Sequence, residues 1–308
     1  MVEITAGLVK ALREQSGAGM MDCKKALVEC KGISEDAVDW LRKKGLSAAA
    51  KKSGREAAEG LVAVAVNGSK AAIIELNAET DFVARNEKFQ VLARNISKIA
   101  LDNDKDIEQL KSESYPEGSQ TVADAIADHI AVIGENMNLR RINHLNVDNG
   151  VIASYMHNAI TDGLGKIGVL VALESTGDKS KLLDLGKRIA MHIAAARPES
   201  LDTTSVNPES LEREKKIFSD QARSSGKPES IIEKMVEGRV RKYYQEIVLL
   251  EQVFVMDNKT PISQVLLEAA KEIGAPITIK GFLRYELGEG IERAEKADFA
   301  SEVASMSN

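Results

Sequence analysis

The chain has 308 residues, of which 44% are hydrophobic, 29% charged and 4% aromatic, with a formal net charge of −6. Such a length predicts about two domains with room for a small third, and the composition excludes a collagenous or largely disordered chain. So few rings and an acidic total also count against a module that stacks nucleic-acid bases in a positive groove.

Residues 1–53 read as three helices. Thr5 is placed to cap the first, whose stripe of Leu8, Val9 and Leu12 is broken by Gly17 and Gly19. The second passes through Met21 to Cys30 and puts Ala26, Leu27 and Cys30 on one face. Ser34 is expected to cap the third, Glu35 and Asp36 suit its first turn, and Ala37, Trp40 and Leu41 form its inner stripe. Residues 43–55 are basic and alanine-rich and read as a helical or frayed linker. Cys23 and Cys30 lie about 10 Å apart along a helix, too far for a disulfide, and are expected to be reduced thiols. There is no run of ~20 apolar residues to span a membrane and no basic apolar leader at the N-terminus, so a cytoplasmic location is the expectation.

Beyond residue 60 the period changes. Leu61-Val62-Ala63-Val64-Ala65-Val66 is strand-like, Asn67-Gly68 is a hairpin turn signal, and Ala71-Ala72-Ile73-Ile74-Glu75-Leu76 returns as the partner. Residues 87–101 are helical, with Phe89, Leu92, Ile96 and Ile99 on one face. A charged stretch, 102–113, leads to a helix over Val122–Ile133 and a strand beginning near Leu139. The plan then recurs: a strand over 151–156, a glycine turn at 163–165, a strand over 167–173, and a helix over Lys179–Ala196 with Leu182, Leu185, Ile189 and Ile193 in a stripe. Two strands and a helix, twice, predict a duplicated α+β core with antiparallel sheets. Residues 208–223 and 228–246 are charged amphipathic stretches and predict an antiparallel helical hairpin. That hairpin is either a docking or dimerisation arm or packs on its own core. Thr260-Pro261-Ile262 is expected to open a helix with Thr260 as cap and Pro261 as its first residue. Residues 277–287 form a strand, and 294–306 a short amphipathic helix.

Little in this sequence supports bond-breaking chemistry. The four histidines lie apart: His129 and His192 in apolar helices, His144 and His157 on or beside strands. None has HxxxH spacing or a nearby cysteine, so a zinc site is not expected. There is no GxSxG elbow, and Gly17-Ala18-Gly19 lacks a phosphate-loop frame. One segment is less ordinary. Residues 77–86, Asn77-Ala78-Glu79-Thr80-Asp81-Phe82-Val83-Ala84-Arg85-Asn86, join the second strand to the next helix, at the end of a sheet. Either Thr80 or Asp81 caps the helix and Phe82 staples its first turn to the core, or Phe82 is an aromatic wedge presented beside an acid. Both readings are open at this point.

Thr80-Asp81-Phe82-Val83 and Gly17-Ala18-Gly19-Met20-Met21-Asp22-Cys23-Lys24-Lys25 together resemble the bacterial translation elongation factor Ts family. Further matches follow in order: Ile133-Gly134-Glu135-Asn136, Arg140-Arg141, Ile189-Ala190-Met191-His192, Ser225-Gly226-Lys227-Pro228, Met235-Val236-Glu237-Gly238-Arg239, Phe254-Val255-Met256 and Gly288-Glu289-Gly290-Ile291-Glu292. They span essentially the whole chain. One local departure is the turn over 158–166, which is longer and richer in glycine than the compact family forms.

The resemblance implies an α+β fold. It comprises a ubiquitin-associated-like three-helix unit (1–54), two core subdomains (55–147; 148–198 with 247–288), an inserted helical arm (199–246) and a C-terminal helical module (289–308). It implies a non-enzymatic guanine-nucleotide exchange factor for elongation factor Tu, with no cofactor of its own, since GDP, GTP and Mg²⁺ are held by the partner. By the same resemblance, Thr80, Asp81, Phe82 and Val83 displace the partner's Mg²⁺. Arg13, Met20, Met21 and Lys24 contact its nucleotide domain, Ile133 and Gly134 form a second contact, and His157, Val255 and Met256 reach another domain. The structural alternatives are core methionines and a helix stop at Gly134. The arm is implied to dimerise, giving a heterotetramer with two Tu. A ribosome-associated RNA-binding protein, suggested by residues 43–55, and a helical adaptor are the competing classes.

Overall fold

The computed structural model describes residues 4–116, 120–224 and 228–292. Helices α1 (Ala6–Ser16), α2 (Met20–Glu29) and α3 (Ser34–Lys52) surround a small core of Val9, Leu12, Cys23, Ala26, Leu27 and Ala37. Thr5 Oγ1 accepts from the Leu8 amide at 3.3 Å, and α1 ends at Gly17 with a left-handed φ of 67°. Ser34 does not cap α3: Ile33 holds the cap position without a side-chain bond, and Ser34 is already helical.

After the hairpin strands come α4 (Asp81–Ala84), α5 (Glu87–Asp102), α6 (Ile107–Lys111) and α7 (Val122–Ile133). Of the helical and frayed alternatives for the basic run the helical one holds: residues 43–52 are the second half of α3, laid along α7. Gly45 is buried, and a Cβ there would sit 3.4 Å from the Ala131 methyl, so a small residue lets the helices approach. Arg42 pairs with Asp124, and Lys52 Nζ donates to the Ile130 carbonyl at 3.4 Å. These contacts lock the three-helix unit onto the rest of the chain.

Among the described residues the strands are β1 (Glu59–Asn67), β2 (Lys70–Ala78), β3 (Met137–Asn146), β4 (Gly150–His157), β5 (Leu164–Gly165), β6 (Ile167–Glu174) and β7 (Thr278–Glu286). One antiparallel sheet has the order β3-β2-β1-β5, the other β4-β6-β7. Continuous apolar runs make sense because both faces of each sheet are covered. Leu61, Ala63, Ala72, Ile74 and Leu76 face α5 and α7. Their neighbours Val62, Ala71 and Ile73 meet Ile152, Leu170 and Ala172 of the other sheet. Val151, Val169, Val171 and Leu173 face α8 (Lys179–Ala196) and the helix over residues 262–273. The order is helix, sheet, sheet, helix.

The two halves share a topology. In each, a hairpin is followed by a helix, and a later strand joins the hairpin's second strand. The registers agree as well. A bulge falls at Glu75/Leu76 in β2–β3 and at Ala172/Leu173 in β6–β7. Gly60 and Gly150 sit at matching positions, opposite Asn77 and Glu174, where a Cβ would strike the carbonyl of Leu76 or Leu173. The glycine-rich turn contributes β5, which pairs with Val62 and Ala63 and so ties the second half to the first sheet.

Helices α9 (Pro208–Ser224) and α10 (Glu229–Ile247) pack on each other as a hairpin rooted by backbone bonds from Glu199 and Ser200 to the Ile247 carbonyl. Helix α11 (Ile262–Ile273) begins one residue later than expected: Pro261 is the cap, and the Thr260 amide instead donates to Asp257 Oδ1 at 3.0 Å. Residues 225–227, the expected tail helix over 294–306 and most of the expected C-terminal module (289–308) lie outside the described residues.

Candidate functional site

Phe82 is an exposed ring whose next two residues are buried. It is 74% exposed, whereas Val83 and Ala84 beside it are 4% and 3% exposed and belong to the core. A stapling ring would be covered, so the staple reading fails. Phe82 stands on α4, a single helical turn between β2 and α5. Asp81 is also exposed and lies 3.8 Å from Arg85.

Thr80 occupies the cap position of α4 yet makes no capping bond. Its amide and hydroxyl instead donate to the Glu135 carboxylate at 2.9 and 2.7 Å. In the opposite direction, the Asn136 amide donates to Glu79 Oε1 at 2.6 Å, and Asn136 Nδ2 donates to the Arg55 carbonyl at 2.7 Å. This exchange seats the Phe82 turn against the end of α7. Ile133 is half-buried there, and Gly134 is a left-handed stop, φ 91°, whose amide bonds the Ile130 carbonyl. The sequence reading quoted Glu79, Glu135 and Asn136 but gave them no role. Their signal is two Glu-containing motifs, one just after β2 and one just after α7, which only the fold juxtaposes.

On the three-helix unit, Met20 and Met21 are 50% and 76% exposed, so neither is core filler; Arg13 and Lys24 are exposed as well. Val28 and Ile33, which the sequence reading passed over, are exposed apolar residues on the same unit. Helical spacing places Met21, Lys24 and Val28 on one stripe of α2. The Gly17 turn lies against the Lys88 ammonium group at the start of α5, which places this unit close to the Phe82 turn.

Val255 and Met256 lie beyond α10, in a loop held by a buried histidine. His192 Nδ1 accepts from the Val255 amide at 3.3 Å, and Nε2 donates to Gln252 Oε1 at 2.9 Å. Gln252 Nε2 donates in turn to the Ala196 and Glu246 carbonyls. Burial holds His192 below the ordinary imidazole range, against the Gln252 hydrogen bond. His157 is exposed at the end of β4 and hydrogen-bonds Tyr155 Oη through Nδ1 at 3.2 Å. Gly186 of α8 packs on Ala153 of β4, and both elements run on in the same direction, so His157 and the Val255 loop lie toward one end of the second half.

Among the described residues no helix is long and apolar enough to cross a membrane. Comparison with known proteins gives a consistent result. The profile of the family described as Elongation factor TS matches residues 79–289. An elongation factor Ts of Rhodospirillum centenum is 60% identical, and one of Rhodospirillum rubrum 58% identical, each over 99% of both chains. That of Methylorubrum populi is 57% identical over the whole of both chains. On the profile match and on these identities over nearly the full length, this chain belongs to the elongation factor Ts family of translation elongation factors.

Proposed function

We propose that this chain is a guanine-nucleotide exchange factor for elongation factor Tu, acting in the cytoplasm and breaking no covalent bond. The observation that carries the reading is the exposed Phe82 ring on a turn whose neighbours are buried. A free protein gains nothing from displaying it, and a partner that covers it gains about 1.5–3 kcal/mol.

That gain is small beside the task. A GTPase that binds GDP at about 1 nM holds it by roughly 12 kcal/mol. The factor need not match this figure, because it has only to bind the nucleotide-free GTPase better than the GDP form; linkage then weakens GDP by the same factor. A single ring is too little, so the interface is spread out. Arg13, Met20, Met21 and Lys24 grip the nucleotide domain, Ile133 and Gly134 add a patch beside the wedge, and His157, Val255 and Met256 hold a second domain. Such an interface is on the order of 2,000 Å² or more.

Phe82 enters between helices of the GTPase and moves those that support its Mg²⁺ site, while Asp81 disturbs the polar network around the ion. With the cation displaced, the diphosphate charge is less compensated and GDP leaves. GTP then binds and releases the factor. The arm, with Ile217 and Ile231 exposed on its two helices, serves self-association, giving two factors and two GTPases per complex. Against the RNA-binding alternative stand the acidic total and the scarcity of rings, and three cations of the basic run are engaged within the chain: Lys44 with Asp22, Lys52 with the Ile130 carbonyl and Arg55 with Glu79.

The test is release of a fluorescent GDP analogue from elongation factor Tu. Substoichiometric amounts of this chain should speed release many-fold, and an unchanged rate would refute the proposal.

A further inference from the structure

The Phe82 turn has a problem that α4 does not solve for itself. Four residues make about one helical turn, and an isolated turn is unfavourable because nucleation fixes several dihedrals for one hydrogen bond. No side chain caps α4. Burial of Val83 and Ala84 and the Gln90 Nε2 bond to the Ala84 carbonyl anchor its C-terminal half; its N-terminal half, which carries Phe82, is held by the two-way exchange with the end of α7, in which Glu135 takes both donors of Thr80 and Glu79 takes the amide of Asn136. Charge-assisted bonds of this kind are shorter and stronger than neutral ones. The Glu79 side chain is only 22% exposed, which shields its bonds from water.

We infer that Glu135 and Glu79 are positioning residues for nucleotide exchange, joining the Phe82 turn and the Ile133–Gly134 patch into one preordered unit. The inference rests on the reading of Phe82 as a wedge. Two patches seated together meet the partner in fixed register, and the wedge pays no ordering cost on entry. Each carboxylate acts through the groups it holds, Glu135 through the Thr80 amide and hydroxyl and Glu79 through the Asn136 amide. The hydroxyl of Thr80 is likewise spent inside the protein, so Thr80 contributes by fixing Phe82 and Asp81.

A double-mutant cycle with saturation kinetics tests this on the full chain with elongation factor Tu and GDP. Glu135→Ala should lower the maximal release rate about tenfold, the scale on which sub-ångström to ångström misplacement acts. The half-saturating concentration should move less than about twofold, since most of the interface is elsewhere. Glu135→Gln should restore most of the rate, because its amide oxygen accepts the Thr80 N–H and its NH₂ donates to the Thr80 hydroxyl. In a Phe82→Ala background, Glu135→Ala should cost much less than it does alone, since only Asp81 and the Ile133–Gly134 patch are left to position.

Full additivity in the cycle, or wild-type exchange by a folded Glu135→Ala protein, would overturn the inference while leaving the wedge intact. Wild-type exchange by Phe82→Ala would overturn the wedge reading and the positioning role with it. Should Glu135→Ala fail to fold, Thr80→Val carries the same cycle. It removes only the 2.7 Å hydroxyl bond, and it should give a smaller loss of rate with the same non-additivity.

Discussion

Truncating Phe82 and truncating Phe89 should separate function from stability within one short stretch. Phe89 is fully buried in the first core and Phe82 is 74% exposed. Phe89→Ala should therefore destabilise the protein by about 3–5 kcal/mol, and Phe82→Ala by less than ~1 kcal/mol, while only Phe82→Ala lowers the exchange rate of the folded protein. Asp81→Ala should slow release less, since a screened surface carboxylate is worth little, and the deficit should shrink when Mg²⁺ is chelated. Denaturant melts paired with GDP-release rates at both Mg²⁺ levels read all of this. His192 gives a pH signature. Burial lowers its folded-state value below 6.5, so between that value and 6.5 the unfolded chain binds more protons. Stability is then full above 6.5 and is lost as pH falls, by at most about 1.4 kcal/mol per pH unit from one group. Protonation also removes the acceptor for the Val255 amide. Desolvation lowers the half-buried His129 in the same direction, so His192→Gln should flatten the acid limb of a melt series between about pH 7.5 and 5.5 without abolishing it. An unchanged limb would refute the assignment.

At the scale of elements, the arm and α3 behave oppositely. Helices α9 and α10 pack chiefly on one another, with Ile217 and Ile231 left exposed. Replacing residues 208–246 by a short linker should leave the core folded and yield a monomer that still promotes GDP release, as read by light scattering and the exchange assay. Lost exchange with an intact core would show that the arm grips the GTPase instead. Helix α3 is held at Gly45, Arg42 and Lys52 along α7. The hydrogen bonds from Thr121 and the Arg42 charge keep Asp124 below the usual carboxylate range despite its desolvation, consistent with an ion pair that is engaged rather than incidental. That docking fixes where Met20 and Met21 stand relative to Phe82.

For the whole molecule, Glu75 ties the layers together. It is fully buried, and it accepts from Arg140 at 3.1 Å, Arg141, Asn77 Nδ2 at 3.0 Å and the Gly288 amide at 2.9 Å. Arg141 also stacks over Tyr285 of β7, 4.1 Å from the ring centroid, and donates to the Glu286 carbonyl. Removing one partner from such a cluster leaves a buried charge uncompensated, which costs about 3–5 kcal/mol; the second sheet and the turn after β7, at Gly288 and Glu289, are thereby fixed to the first. A rigid frame of this kind suits a protein that presents separated patches to one partner. The exchange assay has its counterpart at this scale. Titrated with GDP in a calorimeter without elongation factor Tu, the isolated chain should give no binding heat, and tight binding would refute the proposed division of labour.

What the sequence determined by itself was local. Helical stripes located Val122–Ile133 and Lys179–Ala196 with the bounds observed, Asn67-Gly68 marked the first hairpin, and ordered motifs carried the family resemblance. Period and turn chemistry act within a few residues, so they can be read from a linear string. The candidate site was legible only as a segment: residue chemistry at 77–86 allowed either a staple or a wedge and leaned slightly to the staple. Tertiary structure decided the rest. It buried both faces of Leu61 to Ala63 by stacking a second sheet, docked the basic end of α3 along α7, and left Phe82 in solvent. It also brought Glu135 to Thr80 across 55 residues of chain. Those outcomes depend on which distant group arrives as a neighbour, and burial and hydrogen-bond satisfaction are settled only once the chain has closed.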